Sequence, residues 1–183
     1  RMALVARAME GATVANQVAN ARFYGHADHE ELSDHVHRAM ADLGLIGGRV
    51  GIEKKSLFLT PYHAERIQSG GAAEWRDGSG LIDRLRQVKS PREIDCVRHA
   101  ARAADRATGA AIGAIRDGAT DYEIAAEYHR VMLLEGSEYP GFGPFIRPGH
   151  RLNEEHTTWC GARFGRGEAV FLETCAAVRK YQA

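Results

Sequence analysis

The residues of this sequence whose types and spacing suit acid–base chemistry lie near its C-terminal end. There the apolar run 169–172 leads directly into Glu173, and His156 lies a short loop upstream. Burying a carboxylate costs several kcal/mol unless it is paired, protonated or bound to a metal. If the two segments pair as neighbouring strands, imidazole and carboxylate approach each other, and such a pair can act as general acid and base, worth roughly 10² to 10⁴ in rate. Glu173 therefore needs a partner.

The histidines do not by themselves establish a catalytic or metal site. The chain has nine of them, and a single histidine is more often a packing or surface residue than a catalytic one. Their spacings match no metal-site pattern. The sequence also lacks the GxGxxG dinucleotide loop, the GxxxxGK[ST] phosphate loop, HExxH and GxSxG. These absences exclude the best-known cofactor and hydrolase motifs and leave the His156 and Glu173 pair as the candidate.

The composition is that of a globular protein whose partners are expected to be small molecules or other proteins. Of 183 residues 44% are hydrophobic, and 24 basic residues balance 24 acidic ones. We therefore expect neither nucleic acid nor a membrane as a partner. No apolar stretch approaches a membrane span and the start lacks the layout of a signal peptide, which predicts a cytoplasmic protein. The three cysteines show no CxxC and are expected to be reduced thiols. Because position 1 is not Met, we expect a fragment.

Helix signals dominate the first part of the chain. An amphipathic helix is predicted by apolar residues spaced three and four apart, at Leu32, Val36, Met40 and Leu43. The segment "RVGIE" then predicts a short strand. A second helix is predicted to start at Thr60 as N-cap with Pro61 at its first position, and to stop at Gly70. The turn at 77–80, followed by a short helix, is the candidate linker.

Two capping boxes predict where the helices of the second part begin. Ser90 with Glu93 opens a long helix with an Ala-rich, closely packing face, and Thr120 with Glu123 opens the next helix. The segment 137–151 is rich in Gly, Pro and aromatic residues, which suits a shaped loop or an edge strand that lines a pocket, or equally an ordinary solvent-facing loop.

Three stretches together resemble the creatinase/aminopeptidase P superfamily, the "pita-bread" hydrolases. They are "GLIDRLRQVKSPREIDCVRHAARAADRA", "GATDYEIAAEYHRVMLLEGSEYPGFGPFIRPGHRLNEEHTTW" and "GRGEAVFLETCAAVRKYQA". The resemblance implies an α/β (α+β) fold: the end of a creatinase-type N-terminal domain over 1–80, then the first half of a pita-bread catalytic domain over 81–183. It also implies a homodimer.

One position departs from the pattern of the peptidase branch. There a dinuclear metal site uses an Asp where this chain has Glu173, and a second Asp would fall just past 181–183. A glutamate reaches one methylene further and would displace a tightly spaced pair of ions. The chain is most similar to the metal-independent branch, creatinase and ectoine hydrolase, so no metal ligand and no cofactor is expected.

The resemblance also implies roles for individual residues. His156 would act as general acid/base, and Glu173 would hold a cationic amidine or guanidinium, or attack it. Substrate-binding walls are expected from Tyr139, Phe142, Trp159 and Tyr181.

The predicted function is hydrolysis of a C–N bond in a small cyclic amidine, guanidino or related amide compound. One alternative is a metal-dependent Xaa-Pro aminopeptidase or dipeptidase with two divalent ions, Mn, Co or Zn. The other alternative is a non-catalytic peptide-binding module of the same fold.

Overall fold

The computed structural model describes residues 2–183, whose contacts divide the chain into two compact units. The first unit ends at Val88 and the second runs from Lys89 to Ala183. The predicted domain boundary after Gly80 stays a prediction, since the change of units falls eight residues later, beyond a short helix that belongs to the first unit.

The first unit alternates strands with helices. In chain order its elements are β1 (Met2–Arg7), α1 (Gly11–Gln17), β2 (Ala21–His26), α2 (Leu32–Asp42), β3 (Arg49–Ile52), α3 (Pro61–Ser69), β4 (Glu74–Asp77) and α4 (Leu81–Gln87). β1 pairs with β2 and β3 with β4, both in parallel. Parallel neighbours need a crossover connection, which contains α1 in one case and α3 in the other. The predicted α2, β3, α3 and α4 are confirmed, and the structure adds β1, α1, β2 and β4.

Local side-chain contacts fix the helices of this unit. The Thr60 hydroxyl accepts a hydrogen bond from the backbone N–H of His63, which confirms the predicted cap of α3. His37 of α2 shares a hydrogen bond with the carbonyl oxygen of Ile67 in α3, at 2.7 Å. The buried Tyr24 of β2 donates its hydroxyl proton to Asp42 at the end of α2. Side-chain hydrogen bonds thus tie α2 to β2 and to α3.

The second unit places two helices before four short strands. Its elements are α5 (Pro91–Ala114), α6 (Asp121–Leu134), β5 (Phe145–Pro148), β6 (Val170–Glu173), β7 (Ala177–Val178) and β8 (Tyr181–Gln182). Both predicted capping boxes are present, at Ser90 with Glu93 and at Thr120 with Glu123. A single 3-10 turn follows β5. The unit is α+β, with antiparallel strand pairs.

The core of the second unit lies between α5 and α6. Alanines of α5, among them Ala103, Ala107 and Ala111, are almost fully buried and allow the helices to approach closely. α6 fills the contact with Ile124 and Tyr128. The predicted Ala-rich, closely packing face of this helix is confirmed.

The antiparallel pair β5–β6 has one face on this core. Phe145 pairs with Glu173, and Arg147 pairs with Phe171. Because side chains alternate along a strand, these four share one face, which is called here the cleft face. Ile146 and Leu172 form the next cross-strand pair and pack with the α5–α6 core, on the opposite face, called here the helix face. Neighbouring residues on the same strand therefore face either the α5–α6 core or the cleft.

The hairpin β7–β8 closes the second unit with an unusual turn. Arg179 and Lys180 both have positive φ, 49° and 67°, a conformation that favours glycine. Glu138 holds the turn, since its carboxylate accepts the N–H of Arg179 at 2.9 Å and lies 2.5 Å from the Lys180 ammonium. This ammonium lowers the pKa of the Glu138 carboxyl group.

Among residues 2–183, none of the helices combines the length and apolar character needed to cross a membrane.

Candidate active site

His156 and Glu173 line one small cleft in the second unit. The cleft has a volume of about 280 Å³, and its walls are formed by Arg147, Leu152, Glu155, His156, Phe171 and Glu173. The structure thus brings together the two residues that the sequence analysis singled out for acid–base chemistry. Their catalytic roles stay predictions.

Glu173 is placed by the β5–β6 pair. It is the last residue of β6 and lies opposite Phe145, half-buried. The strand pair fixes its backbone by ladder hydrogen bonds, while Leu172 on the helix face anchors the strand to the core. The carboxylate therefore lies on a rigid strand at the edge of a cleft. This position explains why an acidic residue directly follows an apolar run in the sequence.

His156 is placed by a loop, which corrects the expectation that it might lie on a strand beside Glu173. The strand next to β6 is β5, and His156 lies in the connection between them. Its φ of 48° is left-handed, which is incompatible with a strand. The imidazole ring packs against Phe145, with 5.1 Å between ring centroids. Loop geometry, rather than strand pairing, brings His156 to the cleft of Glu173.

Side-chain hydrogen bonds hold the two ends of the His156 loop. The Arg151 guanidinium donates to the Glu154 carboxylate and to the Cys160 sulfur, so it connects residues on both sides of His156. Its hydrogen bond also keeps the pKa of Glu154 below the ordinary value. At the far end, the buried carboxylate of Asp121 accepts the backbone N–H groups of Cys160 and Gly161, both at 2.9 Å. The strained residue is therefore held from both directions.

The sequence analysis missed Arg147. Its side chain is only 3% exposed, and the guanidinium lies over the Phe171 ring, 4.1 Å from the centroid. Within residues 2–183 its Nε and Nη1 atoms have no hydrogen-bond partner. The sequence held one signal for this residue. If "FIRP" forms a strand, the side chains of Phe145 and Arg147 lie on the same face and that of Ile146 lies on the other.

The predicted substrate-binding residues are divided between the cleft and other places. Phe142 stacks on Phe145, which in turn contacts His156, so it lies behind the cleft wall. Trp159 instead donates its indole N–H to the Pro144 carbonyl oxygen at 2.8 Å. Its ring meets Tyr122 and His129, on the side of the core.

The two predicted tyrosines lie outside the cleft walls. Tyr139 is 76% exposed beneath the Lys180 ammonium, and Tyr181 donates its hydroxyl proton to Glu93 at 2.8 Å. That hydrogen bond joins β8 to the first turn of α5. For Tyr139, Phe142, Trp159 and Tyr181, a role in binding substrate stays a prediction.

The described residues alone do not fit a metal centre. Across 2–183, no three His, Cys, Asp or Glu side chains converge on a point where an ion could be held. In the cleft, Glu155, His156 and Glu173 share the space with the guanidinium of Arg147. A fixed positive charge beside the carboxylate that replaces the expected Asp opposes binding of a divalent cation.

Two known protein families match consecutive parts of the chain. Residues 1–88 match the Creatinase/Prolidase N-terminal domain, and residues 95–183 match Metallopeptidase family M24. The two matches follow each other in the order expected from the resemblance. The chain belongs to the creatinase/aminopeptidase P superfamily. The predicted pita-bread architecture is thereby confirmed.

The relatives of this chain include a dipeptidase and an ectoine hydrolase. The chain is 30% identical to a Xaa-Pro dipeptidase of Pyrococcus furiosus over 116 residues, which are 63% of this chain and 33% of the relative. It is 24% identical to an ectoine hydrolase of Halomonas elongata over 154 residues, 79% of this chain and 39% of that enzyme. These names belong to the relatives and do not decide the substrate of this chain.

A solved structure of the same superfamily confirms the fold. The X-Pro aminopeptidase of Thermotoga maritima superposes with a TM-score of 0.81 at 23% identity, covering 99% of this chain and 49% of that protein. The chain thus spans about a third to a half of the length of the relatives that it matches.

Proposed function

We propose that this protein hydrolyses a C–N bond in a small cyclic amidine, guanidino or related amide compound without a metal ion. The observation that carries the proposal is the cleft that His156 and Glu173 share with the buried guanidinium of Arg147. In this cleft Glu173 occupies the position where the peptidase branch has an aspartate. A cleft of about 280 Å³ suits a small molecule. The similarity to an ectoine hydrolase, an enzyme named for a cyclic amidine substrate, supports this choice.

The two central residues have complementary roles in this proposal. The Glu173 carboxylate binds the planar cationic C–N group by paired, charge-assisted hydrogen bonds, which offset the cost of its partial burial. His156 takes a proton from a water molecule whose oxygen forms the new C–O bond at the amidine carbon. The C–N bond then breaks, and His156 returns the proton to the departing nitrogen. Water supplies all atoms that the products gain.

A second version gives Glu173 the nucleophilic role. Its oxygen then attacks the amidine carbon, and the C–N bond breaks as His156 gives a proton to the departing nitrogen. Water then attacks the Glu173 carboxyl carbon and returns a proton to His156, so the original glutamate oxygen leaves with the product and the carboxylate regains an oxygen from water. Turnover in heavy-oxygen water followed by mass spectrometry of the Glu173 peptide separates the versions. Label in the peptide supports the nucleophile, and its absence supports the cation-binding role.

Activity of the metal-stripped protein tests the proposal. The full-length gene product is treated with a chelator and assayed with ectoine and with creatine, beside Glu173→Gln, His156→Ala and the control His150→Gln. His150 is exposed and pairs with Glu168 away from the cleft. We expect turnover by the parent and the control, and loss in the two cleft variants. Equal activity of all four proteins would count against the proposed roles.

A metal-dependent Xaa-Pro dipeptidase is the second candidate, favoured by the 30% identity to the Pyrococcus furiosus enzyme. In that case two divalent ions, Mn, Co or Zn, would require ligands beyond those in 1–183. Glu173→Asp separates the candidates, because it shortens the side chain to the one that the peptidase branch uses. Improved Xaa-Pro hydrolysis with manganese in Glu173→Asp supports the peptidase, whereas loss of amidine hydrolysis supports our proposal.

The remaining alternative is a non-catalytic peptide-binding module. It would be supported if Glu173→Gln and His156→Ala both left every measurable function unchanged. A small-molecule substrate, a homodimer and a cytoplasmic location are proposed with the hydrolase function, while nucleic acid and membrane partners are not expected.

A further inference from the structure

The side chain of Arg147 has an unexplained surplus of hydrogen-bond donors. It is 97% buried, and its Nε and Nη1 atoms lack a hydrogen-bond partner among residues 2–183. A guanidinium carries several N–H donors and no acceptor, so donors that find no partner in the protein cost free energy. Buried polar groups in native proteins are almost always paired, which makes the exception informative.

The Glu154 carboxylate and the Phe171 ring offset part of this cost inside the protein, but neither gives Nε or Nη1 a hydrogen-bond acceptor. The Phe171 ring lies under the guanidinium at 4.1 Å and stabilises the charge through its π face. A ring face does not accept the in-plane N–H groups, which remain available at the guanidinium edge. Arg147 also lines the cleft of His156 and Glu173, so its guanidinium lies next to the space that a ligand would fill.

The neighbouring charge indicates what kind of ligand fits. Arg147 pairs across the ribbon with Phe171, and Glu173 is two residues further along the same strand. The two are diagonal neighbours on the cleft face, whose Cβ atoms are typically about 7 Å apart. A positive and a negative side chain thus line one cleft, and the Nε and Nη1 atoms of Arg147 make no hydrogen bond to the Glu173 carboxylate.

We propose that Arg147 binds the carboxylate of a zwitterionic substrate whose cationic C–N group lies against Glu173. A carboxylate accepts two parallel N–H donors of a guanidinium, and the cationic group donates to the Glu173 oxygens. The ligand is therefore a small compound of amino-acid type with both charges a few ångströms apart. This inference rests on the proposed function, since it uses the same cleft, and it narrows the substrate class.

Paired substrates with and without the carboxylate test the inference. The full-length gene product is assayed with ectoine and with its carboxamide, and binding of both is measured by calorimetry. The parent protein should prefer the carboxylate by about 10- to 100-fold in kcat/KM or in Kd, the usual range for charge-assisted hydrogen bonds. Arg147→Met should reduce this preference to about one.

Two further variants serve as controls. Arg147→Lys keeps the charge but loses the paired geometry, so an intermediate preference is expected, and it covers the case in which Arg147→Met does not fold. Arg166→Met removes an exposed arginine of the same unit and should retain the full preference. An unchanged preference in Arg147→Met and Arg147→Lys, or no preference in the parent, overturns the inference. Strong destabilisation of both variants with unchanged selectivity would show that Arg147 pairs with a carboxylate of the protein instead.

The outcomes separate this inference from the proposed function. If ectoine is hydrolysed without metal but equally well by Arg147→Met, the function stands and the inference fails. If only Xaa-Pro dipeptides are hydrolysed, with metal, the proposed function fails. A carboxylate preference that Arg147→Met then abolishes, measured with a dipeptide and its amide, would keep Arg147 as the anion-binding residue.

Discussion

The two faces of the β5–β6 pair are built from adjacent residues and differ in almost every property. On the helix face, Ile146 is 2% exposed and belongs to the α5–α6 core together with Leu172. On the cleft face, Arg147 is equally buried but carries a charge, and Glu173 adds a second one. The helix face stabilises the fold, and the cleft face holds ionisable groups at a cost in stability.

The difference shows how a rigid site is made. Ladder hydrogen bonds and core contacts fix the strands through the helix face, so the side chains of the cleft face need no partners of their own to stay in place. Substitutions on the cleft face should therefore lower activity with little change in stability. Substitutions on the helix face should lower stability with little change in activity per folded molecule.

The largest effect is expected from Glu173→Gln on the cleft face. The substitution keeps the shape of the side chain and removes its charge, so kcat/KM should fall by about 10² to 10⁴, or about 3 to 5 kcal/mol. The free energy of unfolding should change by less than about 1 kcal/mol. Steady-state kinetics and urea titration measure the two quantities. A large loss of stability with normal kinetics would reverse the assignment of the two faces.

Ile146→Ala on the helix face should lower the free energy of unfolding by about 2 to 5 kcal/mol. The cause is a cavity beside the α5–α6 core, where the residue is almost fully buried. Leu133→Ala is a suitable control, since Leu133 is 59% exposed and should change stability by about 0.5 kcal/mol or less. Activity per folded molecule should persist in both variants. A fall comparable to that of Glu173→Gln would show that the faces are not independent.

His156→Gly should raise stability while it removes activity. The left-handed backbone at His156 costs about 1 to 2 kcal/mol for a residue with a side chain, and glycine adopts it freely. Part of this gain is lost to the greater chain entropy of glycine, which leaves about 0.5 to 1 kcal/mol. Thermal unfolding checks the sign. A destabilised variant would mean that the contact of His156 with Phe145 outweighs the strain.

The smallest effect concerns the cap of α5, the helix that supports the helix face. Hydrogen bonds from the Ser90 backbone N–H and side chain, and then from Tyr181, lower the pKa of Glu93 to about 2. Because this folded-state pKa lies below the ordinary value of 4.5, the stabilising contribution is complete above about pH 4.5 and is lost as the pH falls towards 2.

The corresponding variant is Glu93→Gln. It should melt below the parent at pH 7, and the two melting temperatures should converge between about pH 4.5 and 2. Calorimetry across this range measures the convergence. Kinetics should be unchanged, because Glu93 is not among the residues that line the cleft. A constant difference in melting temperature at all pH values would exclude ionisation of Glu93 as the cause.

Local signals explain which features were predictable from the sequence. The capping boxes at Ser90 and Thr120 involve residues three apart, so their side chains meet whatever the rest of the chain does. The pairing of Phe145 with Glu173 joins residues far apart in sequence and has no local signature. The strands β1 and β2 were missed for the same reason, since their pairing determines them.

The candidate site shows the same division. His156 and Glu173 were found because a carboxylate after an apolar run is unusual in itself. The left-handed conformation of His156 depends on a loop held by Arg151 and Asp121, which local sequence does not reveal. Arg147 was overlooked because an arginine in a Gly- and Pro-rich segment is typical of a surface, and only the ribbon buries it over Phe171.

One measurement tests the central claim, that Glu173 receives the positive charge of a substrate where relatives in the peptidase branch hold metal ions. The full-length gene product is stripped of divalent ions, its metal content is measured, and hydrolysis of ectoine is followed with and without added manganese. Our account predicts the same rate in both conditions, and its loss in Glu173→Gln. Activity that appears only with manganese, at two bound ions per chain, would contradict it.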